Sequence, residues 1–274
     1  MAEIYTSGGT ALPFLTVAML QERNRADREA LSAIRYTAER LCIETDEAGI
    51  PAEPVMRSVY LSLKEICWRL QYRVACTEEL LCYEGGLEKP SEAVDICRTL
   101  RRFVDLTDML TDGCMEIGSC GIPGGLYALV HPARLDFVLL LMLEGALRDY
   151  PDANVMDFTA GCVQTDLRLE LVLRRDPKAE TQRFQRPEPP EEDLLPDSPA
   201  NLTERFCKCY GARLLRQSAE EKCVYTLTLP AAKVRNPLVK VGPDSVQFTD
   251  EYLFRAVLSG FLSAETMLTA AADY

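Results

Sequence analysis

The chain carries one histidine, His131, alongside eleven cysteines and many carboxylates, so any chemistry must come from a narrow set of side chains. A lone imidazole could act as a base, but His131 directly precedes Pro132 and reads as a loop or strand-end residue. The closest thiol pairs, Cys207 with Cys209 and Cys114 with Cys120, lack the C-x-x-C spacing of a zinc knuckle or a redox motif. Asp136, Glu144, Asp149 and Asp157 supply carboxylates that could hold a hard cation. No paired spacing separates them from acids on a solvated helix surface, so neither a metal nor a cofactor is expected.

Composition narrows the setting. Nearly half of the 274 residues are hydrophobic and about a quarter are charged, which is ordinary for a globular protein with a real core. The net charge of -12 argues against a nucleic-acid backbone or an anionic membrane as partner. Arg98, Arg101 and Arg102 form a short basic patch that reads as a solvated helix face. An odd number of cysteines without a secretory signal fits reduced, mostly buried thiols in a cytoplasmic protein. The longest apolar runs, Phe137 to Leu143 and Ala11 to Leu20, are too short to span a bilayer.

The first half of the chain reads helical. Met19 to Glu47 is rich in good helix formers, and Gly49 and Pro51 punctuate it. A second helix is expected from Glu53 to Glu84, with Val55, Val59, Leu63, Ile66, Leu70, Val74 and Leu81 as its apolar stripe. After Gly85 and Gly86, Pro90 and Ser91 open a third helix with Ile96, Leu100, Phe103, Leu106 and Leu110 on one face. Two long helices joined by a glycine turn would form a hairpin with an uncovered stripe. Dimerisation into a four-helix bundle, or covering by the first helix, would bury it.

Beyond Gly113 the texture becomes mixed. A glycine-rich loop leads to a strand at Leu126 to Val130, and Pro132 opens a helix that Tyr150, Pro151 and Asp152 close. Strands follow at Val155 to Val163 and Leu167 to Arg174; in the second, leucines alternate with other residues as in a half-buried strand. Six prolines between Asp176 and Ala200 leave no periodicity, so a mobile loop is expected there. Asn201 and Glu204 have the spacing of a capping box for a helix that Gly211 ends. Strands at Ala212 to Gln217 and Cys223 to Leu229 form a hairpin, and an amphipathic helix is expected from Glu251 to Thr269. The fold class is therefore α+β. Its parts would be an N-terminal helical segment (1–50), a helical hairpin (51–117), an α/β domain (118–231, with the loop at 176–200) and a C-terminal tail (232–274).

This order of elements resembles that of bacterial sensor histidine kinases, in which a dimerisation hairpin precedes a Bergerat-type ATPase domain. His131 to Leu135, followed by Val138 to Tyr150, is similar to the family's D-P-x-R-L-x-x-V-L-x-N-L-L-x-N-A-L-K-Y segment. Phe206 to Pro230, with Tyr210-Gly211-Ala212 and Tyr225 to Pro230, resembles its last helix and hairpin. The likeness spans about residues 52 to 231.

The resemblance also implies what this chain has lost. The family's Mg²⁺-binding Asn positions are Leu141 and Gly145 here, and neither offers an oxygen donor from its side chain. Together with Arg148 and Asp149 they mark a degenerate nucleotide pocket. Arg175 to Ala179 stands where D-x-G-x-G is expected, and Pro196 to Ala200 stands before Asn201 in place of the glycine-rich phosphate turn. Prolines lack the N–H groups such a turn uses. The phosphoacceptor stretch, near Glu65-Ile66-Cys67-Trp68-Arg69, has no histidine.

The expected function is that of a non-catalytic scaffold or pseudokinase in two-component signalling. It would act as a homodimer, with a response-regulator receiver domain docking near Arg69, Arg73 and Glu78. The alternative is a nucleotide-binding sensor or residual ATP-dependent kinase with a rebuilt pocket. A phosphotransferase would need a cysteine or an aspartate in place of the missing histidine.

Overall fold

The computed structural model describes residues 22, 24–34, 36, 54–84, 92–111, 114–178, 198–219, 221–232, 247–263 and 267. The loop expected at 176–200 falls mostly outside them, as do the ends of the first helix and of the C-terminal one. Helices run over residues 24–34 (α1), Pro54–Glu84 (α2), Ile96–Leu110 (α3), Pro132–Asp149 (α4), Pro199–Tyr210 (α5) and Gln247–Leu258 (α6). Strands are Glu92–Asp95 (β1), Glu116–Gly121 (β2), Tyr127–Val130 (β3), Val155–Val163 (β4), Asp166–Arg174 (β5), Arg213–Ser218 (β6) and Lys222–Pro230 (β7).

Five strands form a mixed sheet in the order β2-β4-β5-β7-β6, and β1 pairs separately with β3. Only the β2–β4 pair is parallel; β4, β5, β7 and β6 pair antiparallel. In β5, Leu167, Leu169, Leu171 and Leu173 all point into the core, as their alternation requires. Helix α4 covers that face and is apolar almost all round, which is the pattern of a helix buried on several sides. Pro132 occupies its first turn, where a missing N–H costs nothing. Helix α5 is capped by Ser198, whose side chain accepts from the Asn201 N–H, and it ends at Gly211 in the left-handed region. The cap is thus Ser198, three residues ahead of the expected Asn201.

The third helix departs from expectation. Residues Glu92–Asp95 form a strand on β3, and α3 begins only at Ile96, with Asp95 accepting from the Cys97 and Arg98 N–H groups. Ile96, Leu100, Phe103, Val104 and Leu110 are buried against the rest of the α/β body. The helix expected as the second arm of a hairpin therefore belongs to the layer covering the sheet.

Helix α2 is covered from within the chain. Helix α6 lies against it and also against α3 and α4, and every residue from Phe254 to Ser259 is buried. The Phe254 ring packs 5.2 Å from Phe103, which packs 5.7 Å from Phe158 in the sheet. On α1, Asn24 Nδ2 donates to the Val74 carbonyl at 3.1 Å, and Arg28 pairs with Glu78. These equal steps set α1 beside the second half of α2, running in the same direction.

The buried side of α2 matches the expected stripe only in part. Of that stripe Leu81 is buried, but Val59, Ile66 and Leu70 are 62, 54 and 40% exposed, while Cys67, Trp68 and Cys76, outside it, are buried. Among the described residues, no helix is long and apolar enough to cross a membrane.

Candidate functional site

Helix α4 carries all four pocket positions singled out in the sequence, and it turns them in two directions. Leu141 and Phe137 face away from the sheet and are buried in a cluster with Cys76 of α2 and Leu202 of α5. Tyr72, Ala75, Leu80 and Tyr83 of α2 and Leu253 of α6 pack around that cluster. Leu141 is only 4% exposed.

Gly145 faces the sheet instead. A Cβ at this position would lie 2.9 Å from the Tyr225 hydroxyl and 3.2 Å from two ring carbons, so glycine is what admits the Tyr225 ring. The Tyr225 hydroxyl donates to Asp149 Oδ2 at 2.8 Å, and Asp149 also pairs with Arg216. Burial, followed by the Asp149 carboxylate, holds the Tyr225 hydroxyl protonated well above the usual phenol range. The same two causes push the neighbouring Cys223 thiol up to about 11, leaving it a poor nucleophile.

Polar bonds fasten α2 to α4. The Tyr72 hydroxyl donates to one Glu144 oxygen, and Arg148 Nη2 donates to the other at 2.7 Å. Tyr72 stays protonated because burial, then the Glu144 charge, opposes its ionisation. Nearly three turns nearer the start of α4, Arg134 Nε lies 3.2 Å from Glu79 Oε1, and the guanidinium sits 4.7 Å from the centre of the Tyr83 ring. Arg134 Nη1 also donates to the Tyr210 hydroxyl of α5 at 3.4 Å. Both side chains of the Arg134–Glu79 pair are largely removed from water, at 5 and 12% exposure.

The carboxylates do not converge. Asp136 pairs with Arg102 of α3, Glu144 with Tyr72 and Arg148, and Asp149 with Arg216 and Tyr225. Asp157 accepts from Arg174 Nε at 2.7 Å and from the Ser119 N–H at 2.6 Å. Burial works against its charge, but these bonds outweigh it and hold Asp157 below the usual carboxylate range. Among the described residues, no group of three or more His, Cys, Asp or Glu side chains could hold a metal.

His131 is the half-buried residue at the N-terminal cap of α4, contributing no side-chain bond to the cap. Where the family's adenine-reading loop would follow β5, the Asp176 carboxylate accepts from the Lys178 N–H within its own turn. In the stretch corresponding to the phosphoacceptor, Cys67 and Trp68 are buried and Ile66 is exposed.

Sequence reasoning missed the residues that close this site from α2. Tyr72, Cys76, Glu79 and Tyr83 recur at steps of four, three and four, which is one helical face. That spacing was the available signal, but a stripe made of tyrosine, cysteine and glutamate does not score as apolar.

No protein-family model matches the sequence, and no curated protein matches it. Solved structures do. Full-length ShkA in complex with AMPPNP superposes with a TM-score of 0.56 at 16% identity, covering 81% of this chain and 47% of that one. The chain thus spans about half the length of ShkA. The histidine kinase AdeS of Acinetobacter baumannii gives a TM-score of 0.48 at 14% identity over 76% of this chain and 97% of its own. The ATP-binding domain of PrrB from Mycobacterium tuberculosis gives 0.40 at 13% identity, over 53% of this chain and all of its own. This chain has a histidine-kinase-like fold, an ATPase-like α/β sandwich accompanied by a helical region.

Proposed function

We propose that this protein is a non-catalytic, histidine-kinase-like signalling or scaffold protein that works through contacts with other proteins. The observation that carries the reading is the burial of Leu141. The α4 position that resemblance assigns to a Mg²⁺-binding Asn holds an apolar side chain covered by α2 and α5. A nucleotide phosphate bound there would need oxygen donors for its metal and N–H donors for its own charge. The site offers an apolar cluster instead.

Three further features support the reading. Gly145, the second Asn position, is spent on seating Tyr225. Each nearby carboxylate is engaged in its own ion pair, which disfavours a rebuilt metal site. The chain has no histidine to accept a phosphoryl group on α2. The physical argument for a dimer, an uncovered hairpin, is weakened because α6 and α5, with Phe137 and Leu141 of α4, already cover the inner side of α2.

The test is incubation of the purified chain with γ-labelled ATP and Mg²⁺. No label is expected on the protein. Stable incorporation, whether on cysteine, aspartate or histidine, would overturn the reading.

A further inference from the structure

We propose that the outward face of α2 between Ser58 and Arg73 is a docking surface for an acidic amphipathic helix of another protein. Two rows run along this face. Val59, Leu63, Ile66 and Leu70 recur at steps of four, three and four, and three of them are exposed. Beside them Ser58, Ser62, Arg69 and Arg73 are also exposed. The only acid in the stretch, Glu65, is half-buried. Arg69 and Arg73 make no ion pair among the described residues. Glu78, expected beside them, is instead taken up by Arg28 of α1.

An exposed apolar row of this length is the mark of an interaction site. The charge beside it specifies the occupant. On a chain of net charge -12, this face presents two arginines and no exposed carboxylate. A second copy packed parallel to it, with the two-fold axis along the helix, would set the same arginines against each other. An antiparallel copy would offer them no exposed carboxylate from this face. An acidic helix would bury the apolar row while its carboxylates meet Arg69 and Arg73, which favours encounter and fixes orientation. The face is about 24 Å long at 1.5 Å per residue, so about four turns of a partner helix would fill it.

The proposal rests on the reading of this chain as a protein that works through protein contacts, and the two can fail separately. Uptake of label from ATP would overturn that reading without changing what binds α2.

The experiment uses the full chain and two fluorescent helical peptides about four turns long, with identical leucine stripes, one flanked by glutamates and one by lysines. Anisotropy is expected to show saturable binding of the glutamate peptide alone. The double variant Arg69→Glu with Arg73→Glu should weaken that binding at least ~10-fold and take up the lysine peptide instead. Ile66→Ser should weaken both pairings. Unchanged circular dichroism and unfolding midpoints would establish that these exposed substitutions leave the fold intact. Three results would overturn the proposal: no binding of the glutamate peptide, binding indifferent to the charge reversal, or a dimer in sedimentation velocity that Ile66→Ser dissolves.

Discussion

The Tyr72 hydroxyl donates to the Glu144 carboxylate, and this bond ties α2 to the flank of α4 that carries Leu141. Glu144 is almost fully buried and depends on Tyr72 and Arg148 to balance the loss of water. Tyr72→Phe removes one donor from a buried charge and should cost about 1–3 kcal/mol in unfolding free energy. Urea titration measures it, and a double-mutant cycle with Glu144→Gln should give a coupling well above zero. Additive effects would show that the bond does not fasten the two helices.

Restoring the family's residues should not restore its chemistry. Gly145→Asn places a Cβ against the Tyr225 hydroxyl and forces that ring from its bond to Asp149, an overpacking cost of about 1–3 kcal/mol. Leu141→Asn buries an amide among Cys76, Phe137 and Leu202, which costs about 1–3 kcal/mol or more without a partner. The double variant is expected to melt well below the wild type and to bind no nucleotide. Gain of ATP binding with stability retained would contradict the packing described here.

Arg134 and Glu79 form a pair with little water around either side chain. Removing one member strands the other. Glu79→Gln or Arg134→Met should therefore cost about 3–5 kcal/mol, more than a surface pair would. The Tyr83 ring adds to the loss for Arg134→Met, since its cation is gone. Chemical denaturation midpoints of the two variants test this. A loss of only a few tenths would place the pair in solvent.

Asp157 sets a pH dependence whose sign follows from its environment. Its folded pKa lies below the unfolded value, so the ionised group stabilises the fold above an unfolded pKa of about 4. That contribution is lost as pH falls through the folded pKa. Asp157→Asn should be less stable than the wild type near pH ~7, and the difference should shrink below pH ~4. A gap that widens in acid would reverse the assignment.

What the sequence revealed depended on how plainly each residue states its environment. The leucines of β5 alternate without exception, and α4 is apolar on nearly every side, so both elements were legible. Strands β1 and β2 were not. Each is short, and Glu116-Ile117-Gly118-Ser119-Cys120-Gly121 lies at the sheet edge with mostly exposed side chains, so tertiary pairing alone makes it a strand. Helix α2 misled for a different reason. Its most hydrophobic row faces outward, while the inner row uses Tyr72, Glu79 and Tyr83, whose polar tips find partners only across the helix interface. That Leu141 and Gly145 offer no side-chain oxygen was legible in the sequence itself. That α2 and α5 pack on Leu141 and Tyr225 on Gly145 was not, because those contacts join residues far apart in the chain.

The most direct test of the central claim is calorimetric titration of the full chain with ATP and ADP, each with and without Mg²⁺. With Leu141 buried and Gly145 filled by Tyr225, no binding heat is expected at near-millimolar nucleotide. Saturable binding that depends on Mg²⁺ would contradict the non-catalytic reading and place a working nucleotide site in this fold.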